Sequence, residues 1–323
     1  ELQGFTGSEY ARREGESLAV SNALKDYYLP VSLQSEDPLE LKSVSKGDVR
    51  KIRYTGALLG ILDKLDTLVG ATGIGMEVSG SQDPYALRRA ANGIVLTIFE
   101  FKKRGLEEIA FSLEKLISRV VLLYGDKVKL SHADISVRLK KMLEERVLWI
   151  LGGERPRDKE FLSGIFNTSS DNLIQVWNKF LFLKSLEEKD PEVFLRAFKV
   201  VERTRNILKG AKGAVPEGPV QPELFNTEEE KALFSAFSEI KDSFKRQAAG
   251  GAYFEATKLY ASTLYDRISA FFDRVLVNVE DEALRRNRLA LMRDVNNLYT
   301  KSIADLSLLT QMVQAAPDTG ASL

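Results

Sequence analysis

Residues 265–309 read YDRISAFFDRVLVNVEDEALRRNRLALMRDVNNLYTKSIADLSLL. This stretch resolves into two helices with a short break. In the first, Leu264, Ile268, Phe271, Phe272 and Val275 recur at helical spacing and make one apolar face. Asn278 has the character of an N-cap, with Asp281 three residues on in a loose capping-box arrangement. Glu280, Asp281 and Glu282 place acid in the following first turn, where the helix dipole favours it. The second helix turns Leu284, Leu289, Met292, Val295 and Leu298 inward and presents Arg285, Arg286, Arg288 and Arg293 on its other face. Such a face has two readings: a surface for RNA phosphates, or the solvated side of a core helix.

Composition narrows the classes outside this stretch. A chain of 323 residues is long enough for two ordinary domains with real cores. Lys+Arg and Asp+Glu both number 46, so no global charge draws the chain to nucleic acid or to acidic membranes, and any RNA binding must come from local patches. No apolar run approaches a membrane span. The absence of cysteine excludes disulfides and thiolate metal sites and fits a reducing compartment. With His132 the only histidine, no histidine-rich metal site can form. The chain starts at Glu1 without a methionine or a signal-like segment and reads as part of a longer protein.

Helical periodicity runs through the whole sequence, without a sustained alternating strand pattern or an internal repeat. Gly4, Gly7 and Gly15 argue against helical continuation near the start. Helices are expected at 17–28 and, after a polar loop at 35–46, at 49–69. Asp63 and Asp66 share an edge of the latter; with Lys64 beside them and no histidine near, salt bridging is favoured over metal binding. The glycines of GATGIGMEVSGSQDP fit neither a P-loop nor a Rossmann fingerprint and read as a sharp connection. Asp83 is the expected cap of the next helix, with Pro84 in its first turn and Arg88 and Arg89 diverging across its surface. Further helices are expected at 102–124, 135–150, 161–183 and 192–208, with Arg155, Arg157 and Lys159 in an exposed turn. Trp149 and Trp177 are expected in the core or an interface.

The densest basic segment is 196–212, where Arg196, Lys199, Arg203, Arg205, Lys209 and Lys212 face one acid, Glu202. Aromatic residues are sparse there, which favours backbone contact over base stacking. Asn206 has two readings, contact with a base edge or a bond to its own helix backbone. GAKGAVPEGPVQPELF follows as a Gly/Pro-rich loop kept extended by Pro216, Pro219 and Pro222. Asn226 or Thr227 then caps a helix with Glu228 to Glu230 in its first turn.

Several of these segments, in order, resemble one family. ELQG, YARREGE, DKLDTLVG and SGSQDPYALRRAA resemble the HD-type helical domain of the bacterial-type glycyl-tRNA synthetase β subunit. ERTRNILKG is similar to its basic-x-x-Asn-Ile-Leu motif, with Arg203 and Asn206 at the matching places. FFDRVLVNVEDEALRRNRLALM and IADLSLL resemble its DALR-type anticodon-binding end. The resemblance covers nearly the whole chain and is loosest over about 125–195. It implies an all-α fold, with the C-terminal part of an HD-like domain at 1–127, connecting helices at 128–190 and a DALR-like helical bundle at 191–323. The HD fold takes its name from metal phosphohydrolases; the histidines of their site are absent here, so the resemblance implies the fold and not that activity.

The function the resemblance implies is recognition of the anticodon arm of tRNA(Gly) in support of ATP-dependent glycylation. The expected tRNA-binding residues are Arg203, Arg205, Asn206, Lys209, Arg285, Asn287 and Arg288, with Arg88, Arg89, Arg155 and Arg157 as secondary RNA contacts. No catalytic or metal site is expected in this chain, since ATP and magnesium belong to the α subunit. The implied partners are tRNA(Gly), the α subunit in an α2β2 assembly and the remaining N-terminal part of the β subunit. The implied location is cytoplasmic. A helical protein–protein scaffold is the competing class; it leaves the basic clustering at 196–212 and 285–293 unexplained.

Overall fold

The computed structural model describes residues 3–28, 54–76, 83, 85–103, 112–168, 171–211 and 217–310. Among these residues all regular structure is helical: twelve α-helices and three short 3-10 turns. The chain divides into two compact units, Glu1–Lys159 with Ser169–Asn178, and Glu160–Thr168 with Lys179–Leu323. The expected loop at 35–46, Pro84, and Lys212 and Pro216 of the Gly/Pro-rich loop lie outside the described residues.

The first unit contains α1 (Gln3–Arg13), α2 (Leu18–Asp26), α3 (Tyr54–Gly73), α4 (Leu87–Lys103), α5 (Leu113–Tyr124) and α6 (His132–Gly152). Ser17 and Ser112 cap α2 and α5, and Ser131 caps α6, each side chain accepting from a backbone N–H of the first turn. Its core is mostly aliphatic: Leu65, Leu68, Val69, Ile94, Val95, Ile98, Ile117, Leu139 and Val147 are almost fully enclosed, with Phe99 and Phe101 buried beside them.

Several glycines fall inside helices here, contrary to expectation. Gly4 lies within α1, and Gly70 and Gly73 within α3, so the chain turns only after Gly73, with Gly75 at positive φ. Close packing is the reason. A Cβ at Gly4 would collide with Tyr28, at Gly56 with Asp26, at Gly70 with the Tyr124 ring and at Gly73 with Val128. Neighbour contact has overridden local propensity. The fourth helix also starts later than expected: Asp83 accepts from the backbone N–H of Arg89 (3.3 Å), and the helix begins at Leu87. Asp66 accepts from the Tyr124 hydroxyl at 3.2 Å, a structural contact.

The two remaining mid-chain helices are α7 (Pro156–Phe166) and α8 (Leu173–Lys189), each divided between the units. One helix was expected at 161–183; Asn167 and Thr168 form a turn instead, and Asp171 and Asn172 precede a fresh start. The Asn172 side chain accepts from the N–H groups of Ile174 and Gln175 and so caps α8. Trp177 meets Phe99 edge-on at 4.3 Å within the first unit.

The second unit is a bundle of α9 (Pro191–Lys209), α10 (Glu228–Ala249), α11 (Tyr253–Arg274) and α12 (Glu282–Thr300). Asp190 caps α9 with Pro191 at its first position. Leu233, Phe237, Ile240 and Phe244 of α10 lie on one helical stripe and are buried. Phe244, Tyr260 and Tyr299 pack together with ring centroids 5.0–5.9 Å apart. Their polar ends are satisfied: the Tyr260 hydroxyl donates to the Val295 carbonyl (3.0 Å), and the Tyr299 and Thr257 hydroxyls share a bond of 2.9 Å. α12 is the central element, enclosed on every side from Asn287 to Met292. Asn296 ties it to α9 by donating to the Val201 carbonyl and the Thr204 hydroxyl (3.1 and 2.9 Å).

The chain after α12 returns to α7, where the Asp305 N–H donates to the Gly164 carbonyl at 2.9 Å. A Cβ at Gly164 would stand 2.8 Å from the Asp305 carbonyl oxygen. Alanine is ordinarily the better helix former by about 1 kcal/mol. Here Gly164→Ala is expected to destabilise the chain by about 1–3 kcal/mol, because rigid backbone has to move. Urea unfolding of the two proteins checks the sign.

Candidate nucleic-acid interface

The basic segment of the sequence folds as the second half of α9. Val200, Val201, Thr204 and Leu208 face the core, so the other flank is turned outward. Part of the basic excess is neutralised locally. Arg196 pairs with Glu192 (2.8 Å) and stacks over the Tyr265 ring (5.3 Å to its centroid), and Lys199 pairs with Glu202 (2.8 Å).

Arg203, Asn206 and Lys209 remain, all exposed and three residues apart, in one outward stripe. Arg203 is steadied by one bond from its Nη1 to the Ser269 hydroxyl of α11 (3.1 Å). The Asn206 main-chain carbonyl accepts from Gly210 N–H. Its side-chain amide is exposed and makes no bond to the helix among the described residues. Arg205 is half-buried, and its Nε is enclosed without a hydrogen-bond partner among the described residues.

Beyond α9 the chain crosses α12 as a strap, residues 217–225, which is irregular up to Gln221 and then, contrary to the expected extended path, tightens into a 3-10 turn at Pro222–Leu224. Asn287 holds it by two bonds to the main chain of Gln221, accepting from N–H at 2.7 Å and donating to the carbonyl at 2.9 Å. Arg293 holds it again by donating to the Gly218 carbonyl (3.0 Å). Between strap and helix lies an open groove of about 570 Å³. Pro219, Leu224, Ala283 and Ala290 supply its apolar walls, and Glu282 and Arg286 its charged rim.

Two expected contact residues are not on the surface. Arg288 is 4% exposed and Asn287 is 5% exposed. Arg288 lies inside the bundle, where its Nε donates to Glu230 (2.6 Å), its Nη1 to the Leu276 carbonyl (2.8 Å) and its Nη2 to Asn226 (2.9 Å). Glu230 is fully enclosed and also accepts from the N–H and hydroxyl of Thr227, closing the capping box of α10. Burial pushes the Glu230 carboxyl up, but bonds from Arg288 and Thr227 outweigh it and hold the group below its ordinary value. Arg288 therefore braces the bundle, and Asn287 braces the strap. The N-cap of α12 is Asp281, not Asn278.

The rest of the cationic set is dispersed. Arg285 is half-buried at the start of α12. In the first unit, Arg88 lines a cleft of about 370 Å³ with Arg138, Lys141 and Arg146 of α6. Arg89 is exposed beside Asp83 at 3.7 Å. Arg155 is exposed just before α7, and Arg157 is half-buried in its first turn. Glu282 was not among the expected contact residues, and Arg286 was expected only as part of the outward arginine face; both line the groove. Their i,i+4 spacing in the first turns of α12 was the signal that places them side by side.

Comparison with known proteins agrees with this anatomy. Residues 199–309, which span the α9 stripe, the strap and α12, match the DALR anticodon binding domain. The second unit is thus a helical domain of the anticodon-binding class. Residues 1–152 match the family described as glycyl-tRNA synthetase beta subunit. Glycine–tRNA ligase beta subunits from Pseudomonas putida (strain GB-1) and Halothermothrix orenii are 34% and 31% identical over 315 and 311 residues. That from Desulforudis audaxviator is 31% identical over 307 residues. The chain belongs to the glycyl-tRNA synthetase beta-subunit family. The matches cover 95–96% of this chain and 41% of the length of those relatives. No helix among the described residues is long and apolar enough to cross a membrane.

Removing the Arg288 fork leaves a buried carboxylate without its counter-charge. Arg288→Met is expected to cost about 3–5 kcal/mol in a denaturant titration. The pH dependence has a definite sign. A carboxyl held below its ordinary value stabilises the fold above that value and loses this contribution as pH falls through the depressed one. The stability gap between wild type and Glu230→Gln should therefore be largest near neutrality and shrink below about pH 4.

Proposed function

We propose that this chain is a tRNA-recognising part of a glycine–tRNA ligase beta subunit, and that its second unit holds the anticodon arm of tRNA(Gly). The observation that carries this reading is the outward stripe of Arg203, Asn206 and Lys209, inside the segment that matches an anticodon-binding domain. Two cations flanking an amide on one helix face suit an RNA backbone with an unstacked base beside it. Phosphate contacts would come from Arg203 and Lys209, and Asn206 would meet a polar edge. The chain is electrically neutral overall, so binding depends on this local charge rather than on a global field. Catalysis, with its ATP and magnesium, is assigned to the alpha subunit in an α2β2 assembly, and this chain contributes the grip on the nucleic acid.

Fluorescence anisotropy of the chain with a glycine-tRNA anticodon stem-loop tests the reading at two salt concentrations. Binding is expected to weaken steeply with salt. Replacing Arg203 and Lys209 together by glutamine should lower affinity about tenfold and flatten the salt dependence by about 1–2 in log–log slope. A stem-loop that binds with the same affinity and salt slope after this change would overturn the proposal in favour of an assembly role.

A further inference from the structure

The groove under the strap has features that a phosphate clamp does not need. Its walls, Pro219, Leu224, Ala283 and Ala290, are small and apolar. Its rim carries Glu282 and Arg286, both exposed and one turn apart on α12. A glutamate four residues before an arginine is the favourable order for a helix ion pair. Yet neither side chain has a hydrogen-bond or ion-pair partner among the described residues. An unengaged acceptor and an unengaged donor fork therefore stand together over a slot of mixed lining, with Gln221 and Asn287 beside the apolar walls. The slot is held open in advance by Asn287 on Gln221 and Arg293 on Gly218.

A phosphate is a poor occupant, because Glu282 repels it. A nucleobase suits the slot: its faces are apolar and its edge carries donors and acceptors side by side. The volume, about 570 Å³, is within the range of small-ligand sites. Resting on the tRNA(Gly) reading above, the identity of the base follows from the genetic code. Glycine codons all begin with two guanines, so the last two anticodon letters of their tRNAs are cytosines. We propose that the groove takes one of these cytosines, with Glu282 accepting from its exocyclic amino group and Arg286 donating to O2 and N3. Uracil is rejected because it places a carbonyl oxygen, rather than an amino group, against the carboxylate. Arg286 supplies affinity and Glu282 supplies discrimination.

The test measures specificity as well as affinity. Stem-loops carrying both cytosines, or uracil in place of each in turn, are titrated by anisotropy into the full chain and into Glu282→Gln and Arg286→Gln. Both residues are exposed, so thermal melts of the variants should stay close to wild type, with Glu282→Gln losing only the small helix-dipole contribution of its first-turn charge. Wild type is expected to disfavour uracil at one of the two positions by about tenfold. Glu282→Gln should erase that preference by binding the uracil loop more tightly, since a glutamine amide can turn to donate to the carbonyl. Arg286→Gln should weaken binding to both loops. If Glu282→Gln discriminates as wild type does while the Arg203/Lys209 substitutions still weaken binding, the groove is not the reader and only this inference falls. If wild type binds no loop, or the Arg203/Lys209 substitutions change nothing, the tRNA reading falls and this inference with it.

Discussion

The enclosed ion pair between Arg288 and Glu230 is the constraint on which the second unit depends. Taking both charges out of water is costly, and such pairs are often no more stabilising than well-packed apolar residues. What this pair contributes is position. Through one guanidinium, α12 is joined to the first turn of α10, to Asn226 before it and to the Leu276 carbonyl after α11. Glu230 meanwhile closes its own helix start by accepting from Thr227. Three chain segments are thus fixed against one side chain, and a slip of any of them would strand a buried charge.

The strap inherits this order. Asn287 precedes Arg288 by one residue and so points about 100° away around the helix, gripping Gln221 by both main-chain groups. Arg293, farther along the helix, holds Gly218. A Pro-rich segment with only one 3-10 turn, Pro222–Leu224, has little of its own to hold it in place, so its path is set by a helix that the buried pair has already positioned. The groove between them is consequently a property of the folded bundle, present before any ligand arrives. A site whose shape is settled in advance loses less conformational freedom on binding than one assembled by the ligand.

The helical fold was legible because the apolar periodicities are long and capped: Thr227 with Glu230, Asp190 with Pro191, and the acidic start of α12 all mark helix ends by chemistry that works locally. What was not legible came from contacts between distant segments. Gly4, Gly70 and Gly73 look like breaks until Tyr28, Tyr124 and Val128 are known to lie against them. The fate of Arg288 was closer to the surface of the sequence than the outward reading allowed. Leu284, Arg288, Met292, Val295 and Tyr299 form one helical stripe, and so do Glu230, Leu233, Phe237, Ile240 and Phe244. A single charge within an apolar stripe on each of two helices, of opposite sign, is the pattern of a buried pair.

Arg286 and Arg288 carry the same fork two residues apart, and a turn of about 200° separates them on the helix. That rotation puts one against Glu230 in the core and leaves the other at the rim of an open groove with no partner among the described residues. The same logic separates Arg196 and Lys199, neutralised by acids on their own helix, from Arg203 and Lys209, which point outward with no acid paired to them among the described residues. In a chain whose charges cancel, the number of arginines says little about RNA. The register of each arginine against the apolar stripe decides whether it braces the fold or is left to meet a ligand.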